Sequence, residues 1–121
     1  MTVIDSSALL AFLQAEHGAD LVEGALIEGG SCGAANWSEV AERVLAHGRD
    51  WTTTSALLRS YPLAIEPVTV ADAEWAAHRW RRGEGLSLAD RLCLALGARL
   101  RQPVLTADRA WGSSAGVQQI R

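Results

Sequence analysis

Short apolar runs alternate along the chain with segments whose apolar positions recur at helical spacing. The stretch TVID (2–5) is apolar until it ends in an acid, the pattern of a buried strand. SSALLAFLQAE (6–16) reads as a helix, with Ser6 or Ser7 as its N-cap and Gly18 near its end. A second helix is expected over 19–28, closed by Gly29 and Gly30. SCGA (31–34) is a short strand candidate. NWSEVAERVLAH (36–47) follows as a helix, with Asn36 and Glu39 spaced as a capping box and Gly48 as its stop. Asp50 caps a helix over 51–60 that Pro62 ends, and LAIEPV (63–68) is a strand. Thr69 opens a helix over 70–82, whose expected core stripe is Val70, Ala73, Ala77 and Trp80. Beyond the loop GEG (83–85), LSLADRLCLALGARL is a helix with Ser87 as its N-cap. PVLT (103–106) is a strand, ADRAW a short helical turn, and VQQI (117–120) a last strand.

Strands alternating with helices imply an α/β domain whose mainly parallel sheet is covered on both faces. The 121 residues suit a single domain over 1–121, with no repeat, low-complexity segment or linker. In such a sheet the C-terminal ends of the strands share one edge with the starts of the following helices, and ligands bind there. Four acids fall on that edge. Asp5 ends the first strand, Glu39 lies in the first turn after the second, Asp108 lies just past PVLT, and Asp90 sits in the first turn of a strongly apolar helix.

Each acid also has a purely structural explanation. Glu39 fits a capping box with Asn36, Asp90 fits one with Ser87, and Asp108 fits an Asx turn. Asp5 fits this explanation least, because a carboxylate at the end of a buried strand is costly without a partner. Carboxylates brought within about 4–6 Å repel by several kcal/mol in a partly buried site, so the group needs a cation or shared protons. A site offering only oxygen ligands favours a hard divalent ion, Mg²⁺ or Mn²⁺.

Charge and composition narrow the field. The net charge is −3, which argues against a chain that coats nucleic acid non-specifically. Every basic residue is arginine, and the two signs are segregated. Residues 1–42 carry seven acids and no arginine, whereas residues 79–109 carry seven arginines against Glu84, Asp90 and Asp108. Local phosphate contacts through arginine remain open, and so does a merely solvated surface. The absence of lysine removes receiver domains, aspartate-nucleophile phosphatases and P-loop enzymes. DSSALL after the first strand holds no dinucleotide-binding glycines. Cys32 and Cys93 stand alone and read as buried small hydrophobes. No apolar run is long enough to span a membrane and the N-terminus lacks a basic signal region, so a cytoplasmic protein is expected.

VIDSSALLAFL, NWSEVAERV, LSLADRLCLALGARL and PVLTADRAW resemble the four acidic motifs of the PIN-domain nucleases, and of the small bacterial VapC-type toxins in particular. The resemblance runs from residue 2 to about 111. It implies a three-layer α/β/α sandwich with a central parallel sheet. It also implies Mg²⁺- or Mn²⁺-dependent cleavage of RNA by an activated water, leaving 5′ phosphate and 3′ hydroxyl ends. Asp5, Glu39, Asp90 and Asp108 match the catalytic acids, with Asp5, Asp90 and Asp108 as metal ligands. Glu39 is expected to ligate through water or to orient the attacking water. Thr106 matches the hydroxyl two residues before the last acid, and Ser6 the one after the first. Arg91, Arg109 and Arg82 are the expected RNA contacts, with Trp37 a candidate for base stacking. The resemblance further implies a homodimer and a partner antitoxin that covers the acidic pocket. Two other readings stand beside the toxin: a catalytically inactive PIN fold that binds RNA or protein, and a nuclease of RNA processing.

Overall fold

The computed structural model describes residues 1–114 and 116–121. Its strands are β1 (Thr2–Ile4), β2 (Gly30–Gly33), β3 (Leu63–Glu66), β4 (Val104–Thr106) and β5 (Val117–Gln119). Its helices are α1 (Ser6–Leu13), α2 (Ala19–Glu28), α3 (Ala34–Ala46), α4 (Trp51–Arg59), α5 (Val70–Arg79) and α6 (Leu88–Leu100), with a 3₁₀ turn at Arg109–Trp111. The sheet order is β3-β2-β1-β4-β5, and every neighbouring pair is parallel. From the central β1 the chain first builds β2 and β3 on one side, then β4 and β5 on the other. The order therefore reverses between β1 and β4, where an open α/β sheet leaves its binding crevice.

Alternate side chains of the central strands feed two cores. Ile4 and Leu105 join Leu9, Val22, Leu26, Val40 and Leu58 beneath α1–α4. Val3 and Val104 join Cys93, Leu96 and Trp111 beneath α6. This two-residue alternation is the signature of strands buried on both faces, and it makes the fold a three-layer α/β/α sandwich.

Two glycines set how closely the layers approach. A Cβ on Gly97 would lie 2.6 Å from Val104 Cγ2, so α6 rests directly on β4 only because that position has no side chain. A Cβ on Gly30 would lie 2.9 Å from Ile4 Cδ1, which lets the short GSCG strand run against the central one.

Several element boundaries depart from the sequence expectation. Asp5, not Ser6 or Ser7, caps α1, accepting from the Ala8 N–H. Helix α3 begins at Ala34 behind Gly33, so Asn36 lies inside the helix and is buried rather than capping it. The expected stripe on α5 is also incorrect. Val70 is 77% and Trp80 52% exposed, and the buried positions are Asp72 and Ala76. The cause is Arg99 of α6, whose guanidinium pulls Asp72 inward at 3.1 Å, while Ala76 is small enough to sit against the neighbouring helix. Asp50, Thr69 and Ser87 cap their helices as expected, the last two in complete capping boxes with Asp72 and Asp90.

Candidate active site

Asp5 sits where β1 ends and α1 begins, 2% exposed. One carboxylate oxygen accepts from the Ala8 N–H and the Ser7 hydroxyl, both at 2.8 Å. The other accepts from the Thr106 hydroxyl at 2.5 Å. Burial nevertheless dominates and pushes its pKa up to about 6, against the pull of these donors, with the Asp90 charge adding to the rise. Thr106 also accepts from the Asp108 N–H at 3.0 Å, so one hydroxyl at the end of β4 ties the first acid to the backbone of the last. Ser7 accepts from the Ala107 N–H at 2.9 Å and closes the same bridge from α1. The sequence reading missed Ser7. Its only signal was a second hydroxyl in DSS, which capping alone already explained.

Glu39 approaches from α3. Its carboxylate accepts from the Ser6 hydroxyl at 2.8 Å and from the Asn36 amide at 3.1 Å. The Asn36 amide also reaches the Ala89 carbonyl at 3.5 Å, beside Asp90 in the first turn of α6. Asn36 thus joins two motif segments from a buried position, a role that its expected place as a cap had hidden.

Asp90 closes the Ser87 capping box through one oxygen, accepting from the Ser87 N–H at 3.0 Å. Burial raises its pKa first; the Ser87 bonds oppose this, and the charges of Glu39 and Asp108 push it up again. Asp108 accepts from the Ala110 N–H at 2.9 Å and caps the 3₁₀ turn. Capping and gathering are therefore compatible, since each cap spends only part of a carboxylate. The four acids lie at the strand ends and helix starts on either side of the β1/β4 crevice, with Asp90 within electrostatic reach of Asp5, Glu39 and Asp108. Among the described residues, the ion pairs are Arg79–Glu84, Arg99–Asp72 and Arg121–Glu16, and none neutralises these four.

The PIN domain family model matches residues 2–115. The chain belongs to the PIN-domain family. Three solved structures share its fold. A toxin–antitoxin complex from Klebsiella pneumoniae superposes with a TM-score of 0.81 at 19% identity, covering 100% of this chain and 98% of that one. The sarcin–ricin-loop-cleaving toxin VapC20 of Mycobacterium tuberculosis gives 0.76 at 18% identity, covering 97% of each chain. FitAcB from Neisseria gonorrhoeae gives 0.72 at 16% identity, covering 99% of this chain and 98% of that one. A search of curated proteins finds no match.

Within this PIN domain, the donor set is chemically suited to a hard divalent cation. It consists of carboxylate and hydroxyl oxygens, and Asp90 and Asp108 each commit one carboxylate oxygen to a helix cap. The thiols of Cys32 and Cys93 lie buried nearby, held far above their ordinary pKa by desolvation first and by the surrounding acids second. Among the described residues, no three His, Cys, Asp or Glu side chains lie close enough to share one ion. The acids sense one another through their charges.

The three arginines expected to contact RNA sit in different surroundings. Arg91 is half-buried and donates to the Ala76 carbonyl at 2.7 Å, tying α6 to α5. The Arg82 guanidinium lies 5.8 Å from the Trp80 ring. Arg109 is exposed on the turn after Asp108. Trp37 packs edge-on to Trp51 at 5.0 Å, with the Arg59 guanidinium 5.9 Å away. Among the described residues, no helix is long and apolar enough to cross a membrane.

Proposed function

We propose that this PIN domain is a metal-dependent ribonuclease and the toxin of a type II toxin–antitoxin pair, working in the cytoplasm as a homodimer. The observation that carries the proposal is the gathering of Asp5, Glu39, Asp90 and Asp108 at the β1/β4 crevice with no arginine paired to any of them among the described residues. A fold that merely tolerated these acids would pair or expose them; this one buries Asp5 and lets Asp90 feel two other charges. Family membership and the fold shared with a toxin–antitoxin complex and a sarcin–ricin-loop-cleaving toxin support the same reading.

Asp5, Asp90 and Asp108 would hold Mg²⁺ or Mn²⁺. When bound, the ion supplies a water acidic enough to ionise near neutral pH and positive charge for the phosphate oxygens. The chain's own part is to orient. Thr106 and Ser7 fix the Asp5 carboxylate, Thr106 fixes the backbone of Asp108, and the Ser87 box fixes Asp90. Glu39, held by Ser6 and Asn36, would accept a proton from an attacking water.

Thermal melts of wild type and Asp90→Asn, each with and without Mn²⁺, test this. Asn retains much of the capping ability and removes the charge. The variant is expected to be at least as stable as wild type without metal and to lose most of the rise that Mn²⁺ gives wild type. Wild type should cleave single-stranded RNA to 5′-phosphate products with Mn²⁺, and Asp90→Asn should not. A melt unmoved by Mn²⁺, together with intact RNA, would leave Asp90 as a helix-start residue and reject the nuclease reading.

A further inference from the structure

A polar cleft of about 460 Å³ opens beside the crevice, and its lining joins Ser7 and Asp108 to Arg43, His47, Gln14 and Arg121. Arg43 and His47 stand one turn apart at the end of α3. Arg121 is partly occupied by Glu16 at 3.4 Å, but among the described residues neither Arg43 nor His47 is in an ion pair. His47 Nδ1 lies 2.8 Å from the Arg43 carbonyl, so the Nδ1–H donates there and the outer Nε2 is left for another partner. A second cleft of about 410 Å³ shares Arg43 and His47 and continues to Arg49, Thr53 and Thr54 on the approach to α4. Arg49 likewise makes no ion pair among the described residues. A line of basic side chains and hydroxyls therefore leads from the acids outward between α1, α3 and α4.

We propose that this line, with Arg43 and His47 at its inner end, is the track on which the RNA strand lies as it enters the acidic crevice. The inference rests on the ribonuclease reading and adds the strand's direction and its contacts. An acidic crevice repels a polyanion, so cations must stand next to it on the path the strand takes. Arg91 is committed to the Ala76 carbonyl and Arg109 stands on the turn outside this cleft, so it is on the α3 side that unpaired basic groups line a cleft with Asp108 among the described residues. Arginine recognises phosphate through its fork of donors, and the outer Nε2 of His47 accepts from a ribose hydroxyl. In the second cleft the hydroxyls of Thr53 and Thr54 and the Arg49 side chain stand along an apolar floor of Leu10, Leu13, Val44 and Leu57.

The test separates binding from cleavage by using the cleavage-defective Asp90→Asn protein as parent and a short fluorescein-labelled single-stranded RNA as probe. Anisotropy titrations over a series of salt concentrations are expected to show Arg43→Ala weakening binding several-fold. The slope of log affinity against log salt should become shallower by about 0.7, as for the loss of one phosphate contact to a single strand. Adding His47→Ala should weaken binding further, and Arg43→Lys should retain most of the slope. Arg43 and His47 are exposed, so each variant is expected to melt with the parent, which circular dichroism checks. If the parent binds RNA and Arg43→Ala binds it equally well, the track is wrong while cleavage by wild type leaves the nuclease reading standing. If poly-L-glutamate binds as tightly as RNA and loses that binding in Arg43→Ala, the cleft belongs to an acidic polypeptide and the track is overturned. If wild type cleaves no RNA and the parent binds none, both readings fall together.

Discussion

Asp5 and Asp72 are both buried carboxylates near the start of a helix, and the fold treats them in opposite ways. Asp72 receives a counter-charge: Arg99 reaches it from α6 through two nitrogens, at 3.1 and 3.2 Å. Burial pushes Asp72 up, but the Thr69 N–H and Arg99 outweigh it and hold the carboxyl below its ordinary value. Asp5 receives two hydroxyls and one N–H, no arginine, and another acid within electrostatic reach; its pKa rises to about 6. Where a carboxylate serves only to join two helices, the chain completes the ion pair itself. At Asp5, for which we propose a chemical role, the chain supplies donors that orient the carboxylate and withholds the charge that would satisfy it.

The sharpest way to break this contrast is to neutralise each acid in turn. Asp5→Asn should lower RNA cleavage by at least about 100-fold, several kcal/mol of lost transition-state stabilisation, while its metal-free melting temperature stays equal or rises. Single-turnover cleavage and calorimetry check the two halves. Arg99→Ala should do the reverse. Stability should fall by about 1–3 kcal/mol, because the Asp72 carboxylate is left buried without its partner, and cleavage at saturating metal should be nearly unchanged. Urea unfolding measures the loss, and an Arg99→Ala protein as stable as wild type would show that the ion pair is decorative.

The pH dependence of the two acids has opposite signs. Folding raises the Asp5 pKa from 3.8 to about 6, so the folded protein binds that proton more tightly than the unfolded chain does. Its contribution is greatest at low pH and is lost as pH rises from about 4 through 6, on the order of 3 kcal/mol in all. Asp72 is lowered, so its contribution is present above the ordinary carboxylate range and lost as pH falls through it. Unfolding free energies taken with chelator across this window should show wild type losing stability toward neutral pH, with a shallower slope in Asp5→Asn. The smallest expected effect is at Ser87→Ala, which removes one capping bond from α6 and should cost about 1 kcal/mol of stability in a melt.

The alternation of strands and helices and the strand ends carrying Asp5 and Asp108 were legible because burial on both faces writes continuous apolar runs. Capping residues with side chains that reach only their own helix were legible too, as at Asp50, Thr69 and Ser87. What was hidden involved contacts between segments far apart in sequence. Asn36 looks like a cap by spacing, and only the packing of α3 beside α6 turns it into a link between Glu39 and Ala89. Helix α5 has an amphipathic pattern, yet Arg99, 27 residues on from Asp72, decides which face turns inward. Arg91 follows an acid of the crevice directly, but one residue along a helix is a turn of about 100°, enough to send its guanidinium to α5.

The bare α-carbon of Gly97 has a reach beyond its own contact. It lies seven residues, about two helical turns or 10 Å, along α6 from Asp90. A stiff helix pressed onto β4 at one end carries its other end to a set height above the sheet, so the spacing at Gly97 and Val104 also gauges where the Asp90 carboxylate stands relative to Asp5. A methyl group added there would tilt or lift the rod and spread the acids apart. In a saturation scan scored by cleavage, Gly97 should therefore tolerate as little change as the acids, although it bears no chemistry of its own.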